Sequence, residues 1–289
     1  MDKQATSIRT VGATLGEGPV WVAREEALYF VDIKAPCVYR FRPEDGGLDR
    51  WDAPAQVGWI LPATGGAFLA GLQTGLHRFD PATGAFNFLV KVEDRAGNRL
   101  NDAAADATGR VWFGSMDNEE RDPTGRLYCW DAGKITDTGA EQIVITNGPA
   151  IAPDQRTLYA VDTVGRRVNA HEMRDDGTLG AGRVFVDLAD VEGNPDGAIA
   201  DAEGGVWVCF FGGWAARRYA PDGTCTDTVR FPAANITKMA LGGPDGRTAY
   251  ATSARKGLRE AQLAEQGDAG DLFTFRVDVP GVPVKDITL

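Results

Sequence analysis

The chain has 289 residues, 43% of them apolar, and a formal net charge of −11 at pH 7. Nucleic-acid binders need a basic face to displace phosphate counterions, and no run of Lys and Arg supplies one here. The same charge disfavours anionic membrane surfaces, and no segment approaches the ~18 apolar residues of a membrane span. We therefore expect a folded globular protein whose substrate is neutral or cationic, or an anion held by a metal.

The N-terminal segment has no apolar core of the kind found in secretory signals. The four cysteines are widely separated and form no C-x-x-C pair, so a thiolate zinc site is not indicated. We expect them to be reduced and structural, in a cytoplasmic protein. We also expect a monomer.

Short apolar runs rich in aromatic residues recur along the chain at intervals of roughly 45 residues, the length of a four-stranded propeller blade. They begin at Leu28, Ala67, Val111, Leu158, Val206 and Ala249. Turn signals containing Gly, Asp and Pro separate these runs from further strand-like segments, as expected for antiparallel blades. Six repeats predict an all-β, six-bladed β-propeller in which residues 1–289 form one domain. We expect the aromatic side chains to pack between blades.

Two segments do not belong to the repeat itself. Residues 258–266 (LREAQLAEQ) contain good helix formers with a thin apolar stripe, which predicts a short surface helix or loop in the last blade. Residues 7–11 alternate polar and apolar side chains. We expect this segment to pair with the last blade and close the ring, which leaves no open sheet edge.

The repeat also defines one equivalent position per blade, 10 or 11 residues before each aromatic run. These ring positions are Glu17, Val57, Asn101, Asn147, Asp196 and Lys238. Each begins the strand expected to line the central channel, so the six side chains should converge. Five are polar or charged, and desolvated carboxylates repel each other unless a cation or proton intervenes. A central site for a hard divalent cation is the simplest interpretation. Alternatively, these side chains line a wet channel or belong to ordinary Asn-Gly and Asp-Gly turns.

Around these residues the sequence resembles the regucalcin and gluconolactonase family of six-bladed propellers, over almost its whole length. The matching segments are residues 15–21 (LGEGPVW), 101–116 (NDAAADATGRVWFGSM), 147–154 (NGPAIAPD), 195–197 (PDG), and 241–246 with 270–273 (LGGPDG and GDLF). Each is short, but their order and blade spacing make the combination specific.

The resemblance implies that Glu17, Asn147 and Asp196 bind one divalent metal ion. It also implies that Arg99, Asn101 and Glu119 bind substrate, although residues 117–120 (DNEE) offer other acidic candidates for Glu119. Lys238 matches no ligand of the family and is interpreted as an ordinary channel or packing lysine. Oxygen ligands suit Ca²⁺, Mg²⁺ or Mn²⁺, and Zn²⁺ or Fe²⁺ would also bind, so the metal stays open.

The expected activity is hydrolysis of a small sugar lactone, such as xylonolactone or gluconolactone. The metal would polarise the ring carbonyl, and Asp196 would be the base that takes a proton from the attacking water. The alternatives are a metal-dependent arylesterase or organophosphate hydrolase, and a non-enzymatic calcium-binding regulatory propeller.

Other catalytic chemistries are poorly supported. No G-x-S-x-G elbow and no glycine-rich phosphate loop occur in the sequence. The two histidines, His77 and His171, fall in strands away from the predicted channel, and we expect both to be structural.

Overall fold

A computed structural model describes residues 3–289, which form six antiparallel sheets arranged around a central axis. Within each blade, consecutive strands of the chain pair with each other and run from the axis outward. The outer strand of the sixth blade is the exception, because it comes from the N-terminal segment. The innermost strands are β3 (Gly16–Val22), β7 (Val57–Pro62), β11 (Asn98–Ala105), β15 (Thr146–Ile151), β19 (Asn194–Ala200) and β23 (Ile236–Gly242). Each contacts the innermost strands of both neighbouring blades, which closes the ring. The prediction of a six-bladed propeller is confirmed.

The second strands carry the aromatic runs. They are β4 (Ala27–Asp32), β8 (Phe68–Leu72), β12 (Val111–Asp117), β16 (Thr157–Asp162), β20 (Val206–Phe211) and β24 (Thr248–Ser253). The third strands are β5 (Cys37–Arg42), β9 (Gly75–Asp80), β13 (Leu127–Asp131), β17 (Arg167–Glu172), β21 (Ala215–Tyr219) and β25 (Leu272–Arg276). The outer strands of the first five blades are β6 (Gly47–Asp52), β10 (Ala85–Val90), β14 (Lys134–Asp137), β18 (Arg183–Asp187) and β22 (Cys225–Arg230).

The N-terminal segment closes the ring as expected. Strand β2 (Thr6–Arg9) pairs antiparallel with β25 and supplies the outer strand of the sixth blade. Asp271 strengthens this closure, because its Oδ1 accepts hydrogen bonds from the backbone N–H groups of Val11 (2.8 Å) and Gly12 (3.0 Å). The sequence did not indicate a further strand, β1 (Lys3–Gln4), which pairs in parallel with β22 of blade five.

Helical structure is minor. The predicted surface helix is present as α1 (Glu260–Glu265), and single 3₁₀ turns cover Ala23–Glu25 and Thr64–Gly66. No helix within residues 3–289 combines the length and the apolar character needed to cross a membrane.

The core lies between adjacent blades. The aromatic side chains predicted to pack there are all buried: Tyr29, Phe68, Trp112, Tyr159, Trp207 and Tyr250. Close packing explains Gly71 in β8, where a Cβ would lie 2.2 Å from Cε2 of the Trp59 indole. All four cysteines are free thiols.

Every inner strand loses its regular pairing at or beside its ring position. The register shifts lie between Glu17 and Val20, Val57 and Trp59, Leu100 and Ala103, Asn147 and Ala150, Pro195 and Ala198, and Ile236 and Met239. An irregularity of this kind frees residues from the ladder and redirects their side chains. It therefore allows a polar side chain to point toward the axis at the start of a strand that is otherwise buried.

Buried aspartates hold the turns between inner and second strands. Asp201 in blade five is fully buried and accepts hydrogen bonds from the backbone N–H groups of Glu203 (3.1 Å) and Gly205 (2.9 Å). Its Oδ2 also accepts a bond of 2.6 Å from Nε of Arg218. The turn signals in the sequence therefore correspond to fixed corners of the blades.

We expect Asp201→Ala to lower the free energy of unfolding by about 3 kcal/mol, because it removes the buried carboxylate that accepts hydrogen bonds from Arg218 and from two backbone N–H groups. Urea denaturation measures this loss. Asp222→Ala is the matched control: Asp222 accepts one bond of 2.9 Å from the Thr224 N–H at an exposed turn. It should change stability by less than about 1 kcal/mol. Equal losses in the two variants would contradict this account.

Candidate functional site

The starts of the inner strands surround a cavity of about 160 Å³ at one end of the central axis. Glu17 reaches it from β3, Arg99 and Asn101 from β11, Asn147 from β15 and Asp196 from β19. The structure thus brings five of the six predicted site residues to one cavity, although they come from four blades. All five are nearly inaccessible to solvent.

Two carboxylates in this cavity are costly to keep charged. Burial is the main reason that the pKa of Glu17 rises to about 8, and repulsion from Asp102 adds to it. Burial also raises the pKa of Asp196 well above its ordinary value, with further contributions from Glu17 and Asp102. Within residues 3–289 no donor hydrogen-bonds the Asp196 carboxylate, so only the longer-range attraction of Lys256 and Arg99 opposes its desolvation.

A chain of hydrogen bonds fixes the amides next to these carboxylates. Nη1 of Arg99 donates to Oδ1 of Asn101 (2.5 Å), and Nδ2 of Asn101 donates to Oδ1 of Asn147 (2.9 Å) and to the Thr146 carbonyl (2.6 Å). Nδ2 of Asn147 donates to Oγ1 of Thr163 (2.9 Å). With the amide nitrogen committed to Thr163, the orientation of Asn147 is set, and its oxygen is the atom available to a cation.

Arg99 is a buried cation without a carboxylate partner. Its side chain is 3% exposed, its Nε has no hydrogen-bond acceptor, and no acidic oxygen lies within 4 Å in the part of the chain that the structure describes. Burial lowers the pKa of this guanidinium. Glu120, Glu17 and Asp196 offset part of this shift from a distance. A buried guanidinium without a direct ion pair favours a bound ligand with negative or strongly polar oxygens.

The loop after β12 places Glu120, and not the predicted Glu119, in the cavity lining. The Asp117 carboxylate accepts hydrogen bonds from the backbone N–H groups of Glu119 (3.2 Å), Arg121 (3.0 Å) and Asp122 (3.0 Å), which folds the loop tightly. Glu120 adopts a left-handed φ of 58° and forms an ion pair with Lys256 of blade six. The Glu119 side chain is 65% exposed and lies 3.5 Å from Arg121.

Lys238 and Val57 occupy their ring positions but do not line this cavity. Nζ of Lys238 binds Oδ1 of Asp102 and, at 3.3 Å, the Ala103 carbonyl. Lys238 and Asp102 line a second cavity, of about 120 Å³, formed by the ends of the same inner strands. The two cavities therefore lie toward opposite ends of the axis. Interpreting Lys238 as a channel lysine agrees with this position, where it pairs with a buried acid.

Sequence reasoning missed three residues that shape the site, namely Asp102, Thr163 and Lys256, and it had Glu120 only as an alternative to Glu119. A signal existed for Asp102, because blades one, two, four and five have Gly immediately after the ring residue whereas blade three has a carboxylate. A buried carboxylate near the channel needs a cation beside it, and Lys238 was the one ring residue that could supply the positive charge. Lys256 and Thr163 lie in loops outside the repeat register, so no pattern singled them out.

His77 and His171 do not line the cavity. Nε2 of His77 lies 2.9 Å from Oγ1 of Thr74, and Nδ1 of His171 lies 3.0 Å from the Gly180 carbonyl. Both have local partners, as a structural role requires.

The donor set fits a hard divalent cation. Two buried carboxylates and one oriented amide oxygen share the cavity, and Asp196 has no competing donor. A cation of charge +2 would offset the repulsion between these acids and their desolvation. No cluster of three or more His, Cys, Asp or Glu suited to a metal occurs in residues 3–289, so this shell would need the Asn147 oxygen.

The fold and site define a class: six-bladed propellers with a buried polar centre at one end of the axis. Residues 15–255 match the family described as SMP-30/Gluconolactonase/LRE-like region, and the chain belongs to this family. The predicted family membership is thereby confirmed.

Relatives match over nearly their full lengths. The L-arabinolactonase of Azospirillum brasilense is 36% identical over 96% of this chain and 94% of its own. The 6-deoxy-6-sulfogluconolactonase of Pseudomonas putida is 33% identical over 93% of each chain. Among solved structures, the calcium-binding protein regucalcin from Agrobacterium tumefaciens superposes with a TM-score of 0.95, at 26% identity, covering 100% of this chain and 99% of that one.

Proposed function

We propose that the protein hydrolyses an aldonolactone to the aldonic acid with the help of one divalent cation held by Glu17, Asn147 and Asp196. The observation that carries the proposal is the shared cavity, in which two buried acids without adequate partners face a fixed amide and a buried guanidinium. The names of the relatives support a sugar lactone as substrate.

The cation supplies Lewis acidity at the ring carbonyl when it is bound. Asp196 accepts no hydrogen bond from residues 3–289, so one of its oxygens is free to take the proton from the attacking water and to return it to the ring oxygen as the acyl C–O bond breaks. Arg99 and Asn101 bind the sugar oxygens and hold the carbonyl carbon in the geometry of attack. We assign Glu120 the role first expected for Glu119, since Glu120 is the acid in the cavity lining.

The polar lining argues against an arylesterase, whose aromatic substrate would need an apolar pocket. Arg99, Asn101 and Glu120 instead offer the hydrogen-bonding groups that a polyol requires.

The test is lactone hydrolysis by protein treated with chelator and reloaded in turn with Ca²⁺, Mg²⁺, Mn²⁺, Zn²⁺ or Fe²⁺. The substrates are xylono-, arabinono- and gluconolactone, with phenyl acetate as the control ester, and spontaneous hydrolysis is subtracted. Removing the cation should lower kcat/KM at least about 100-fold, because several kcal/mol of transition-state stabilisation are lost. Metal binding without lactone hydrolysis would favour the regulatory propeller instead, and unchanged activity after chelation would reject the metal.

A further inference from the structure

Positive charge is concentrated on the side of the cavity that faces the loop after β12. Arg99 and Lys256 line the cavity there. Lys34 lies outside the lining but next to the same loop, because its Nζ donates to Oδ1 of Asn118. We propose that these three residues bind an anionic group on the substrate, so that the enzyme prefers an aldonolactone with a phosphate, sulfonate or carboxylate on the carbon farthest from the ring carbonyl. This inference rests on the proposed lactonase function and names its substrate class.

Lys256 is held firmly enough to recognise a ligand. Its backbone N–H donates to the Thr14 carbonyl (2.8 Å), and its own carbonyl accepts a bond of 3.0 Å from Nδ2 of Asn235. Its Nζ contacts Oε1 of Glu120. An ammonium has three donors, so a ligand oxygen can bind Lys256 without displacing Glu120.

Lys34 is a cation with neutral partners. Its Nζ donates to Oδ1 of Asn118 (2.8 Å) and to Oε1 of Gln56 (3.0 Å), and no acidic oxygen of residues 3–289 lies within 4 Å. Partial burial lowers the pKa of Lys34, and repulsion from Arg99 and Lys256 lowers it further, while Glu120 and Glu119 oppose part of this shift. Negative charge brought close to the three cations would relieve this repulsion.

The balance of charges points the same way. The cavity lining contains the acids Glu17, Glu120 and Asp196 and the bases Arg99 and Lys256. Once a divalent cation engages Glu17 and Asp196, the remaining lining residues have one excess positive charge. Beyond the lining, Lys34 adds a positive charge and Glu119 a negative one. An uncharged sugar leaves this excess uncompensated, whereas an anionic substituent gains charge-assisted hydrogen bonds.

The experiment compares kcat/KM for D-glucono-1,5-lactone with that for the same lactone bearing a 6-phosphate or a 6-sulfonate, and for D-glucaro-1,4-lactone. The wild type should favour at least one charged lactone by about tenfold, the value of one charge-assisted hydrogen bond. Because Lys256 also pairs with Glu120, Lys256→Met should lower kcat/KM for both substrates, but the loss for the charged one should be about tenfold larger than the loss for the neutral one. Lys256→Arg should retain the preference. The three charged lactones separate phosphate, sulfonate and carboxylate as the natural group.

Lys3→Met is the matched control, since Lys3 also pairs with acids, Asp227 at 3.4 Å and Asp278 at 2.8 Å, but belongs to β1 at the outer edge of blade five. It should leave both substrates unaffected. Equal kcat/KM for neutral and charged lactones in the wild type, or parallel losses in Lys256→Met, would overturn the proposal.

A binding measurement separates this inference from the proposed function. Calorimetric titration of the metal-loaded protein with 6-phosphogluconate and with gluconate should show tighter binding of the phosphate, and Lys256→Met should remove the difference. If no lactone is hydrolysed, the lactonase assignment fails, and this titration still decides whether the anion site exists. Equal affinities of the wild type for the two acids would reject it.

Discussion

We expect Asp196→Asn to reduce lactone hydrolysis by at least about 1000-fold while the protein remains folded. The substitution preserves the size of the side chain but removes the proposed base and one negative charge of the proposed metal site. Both losses destabilise the transition state. The buried Asp196 carboxylate accepts no hydrogen bond from residues 3–289, and its desolvation is unfavourable in the metal-free protein. The metal-free variant should therefore melt no earlier than the metal-free wild type.

Steady-state kinetics and thermal denaturation, each with and without metal, check both parts of this expectation. Asn194→Ala is a suitable control, because Asn194 lines the same cavity but carries no charge, and its Oδ1 accepts a bond of 3.0 Å from Arg166. It should retain activity within about tenfold. Activity of Asp196→Asn within tenfold of wild type would refute the role of Asp196. A large loss of stability would show that the carboxylate supports the fold.

We expect the largest loss of stability from Lys238→Met. Lys238 is the cation paired with Asp102 inside the channel, and both side chains are almost fully buried, at 5% and 2% exposure. Removing the ammonium leaves an uncompensated carboxylate close enough to Glu17 to raise its pKa. Breaking a buried pair from one side costs about 3–5 kcal/mol.

Urea denaturation of Lys238→Met measures the loss, and the double variant Asp102→Asn/Lys238→Met tests its cause. With both charges gone, at least half of the lost free energy of unfolding should return, because no buried charge is left without a partner. If the double variant is as unstable as the single one, packing of the lysine stem, and not its charge, stabilises the channel.

The repeat in the sequence was sufficient to predict the fold and to place Glu17, Asn147 and Asp196 near one another. Each blade repeats the same strand order, so equal register implies equal distance from the axis. The irregular pairing at each ring position could not be anticipated, yet it determines which end of the channel a side chain faces. Lys238 shares the register of Asp196 but turns toward Asp102 and the opposite cavity.

Loop residues were the part of the site that sequence could not place. The DNEE segment offered several acids, and the choice of Glu120 depends on the Asp117 carboxylate, which caps three backbone N–H groups and leaves Glu120 with positive φ. Such a conformation depends on local hydrogen bonds and has no periodic signature. Lys256 could not be predicted for a similar reason. It lies in the loop after β24, the second strand of the sixth blade, at a position that the repeat does not define.

The pairing of β2 with β25 determines when the protein can complete its fold during synthesis. The bond from the Val11 N–H to Asp271 joins residues 260 positions apart, so the sixth blade cannot be completed until nearly all of the polypeptide has left the ribosome. Contacts of such long sequence separation form slowly, because chain closure must precede their stabilisation. Nascent chains that still lack the final strands should therefore be devoid of catalysis even though Glu17, Asn147 and Asp196 have already been synthesised.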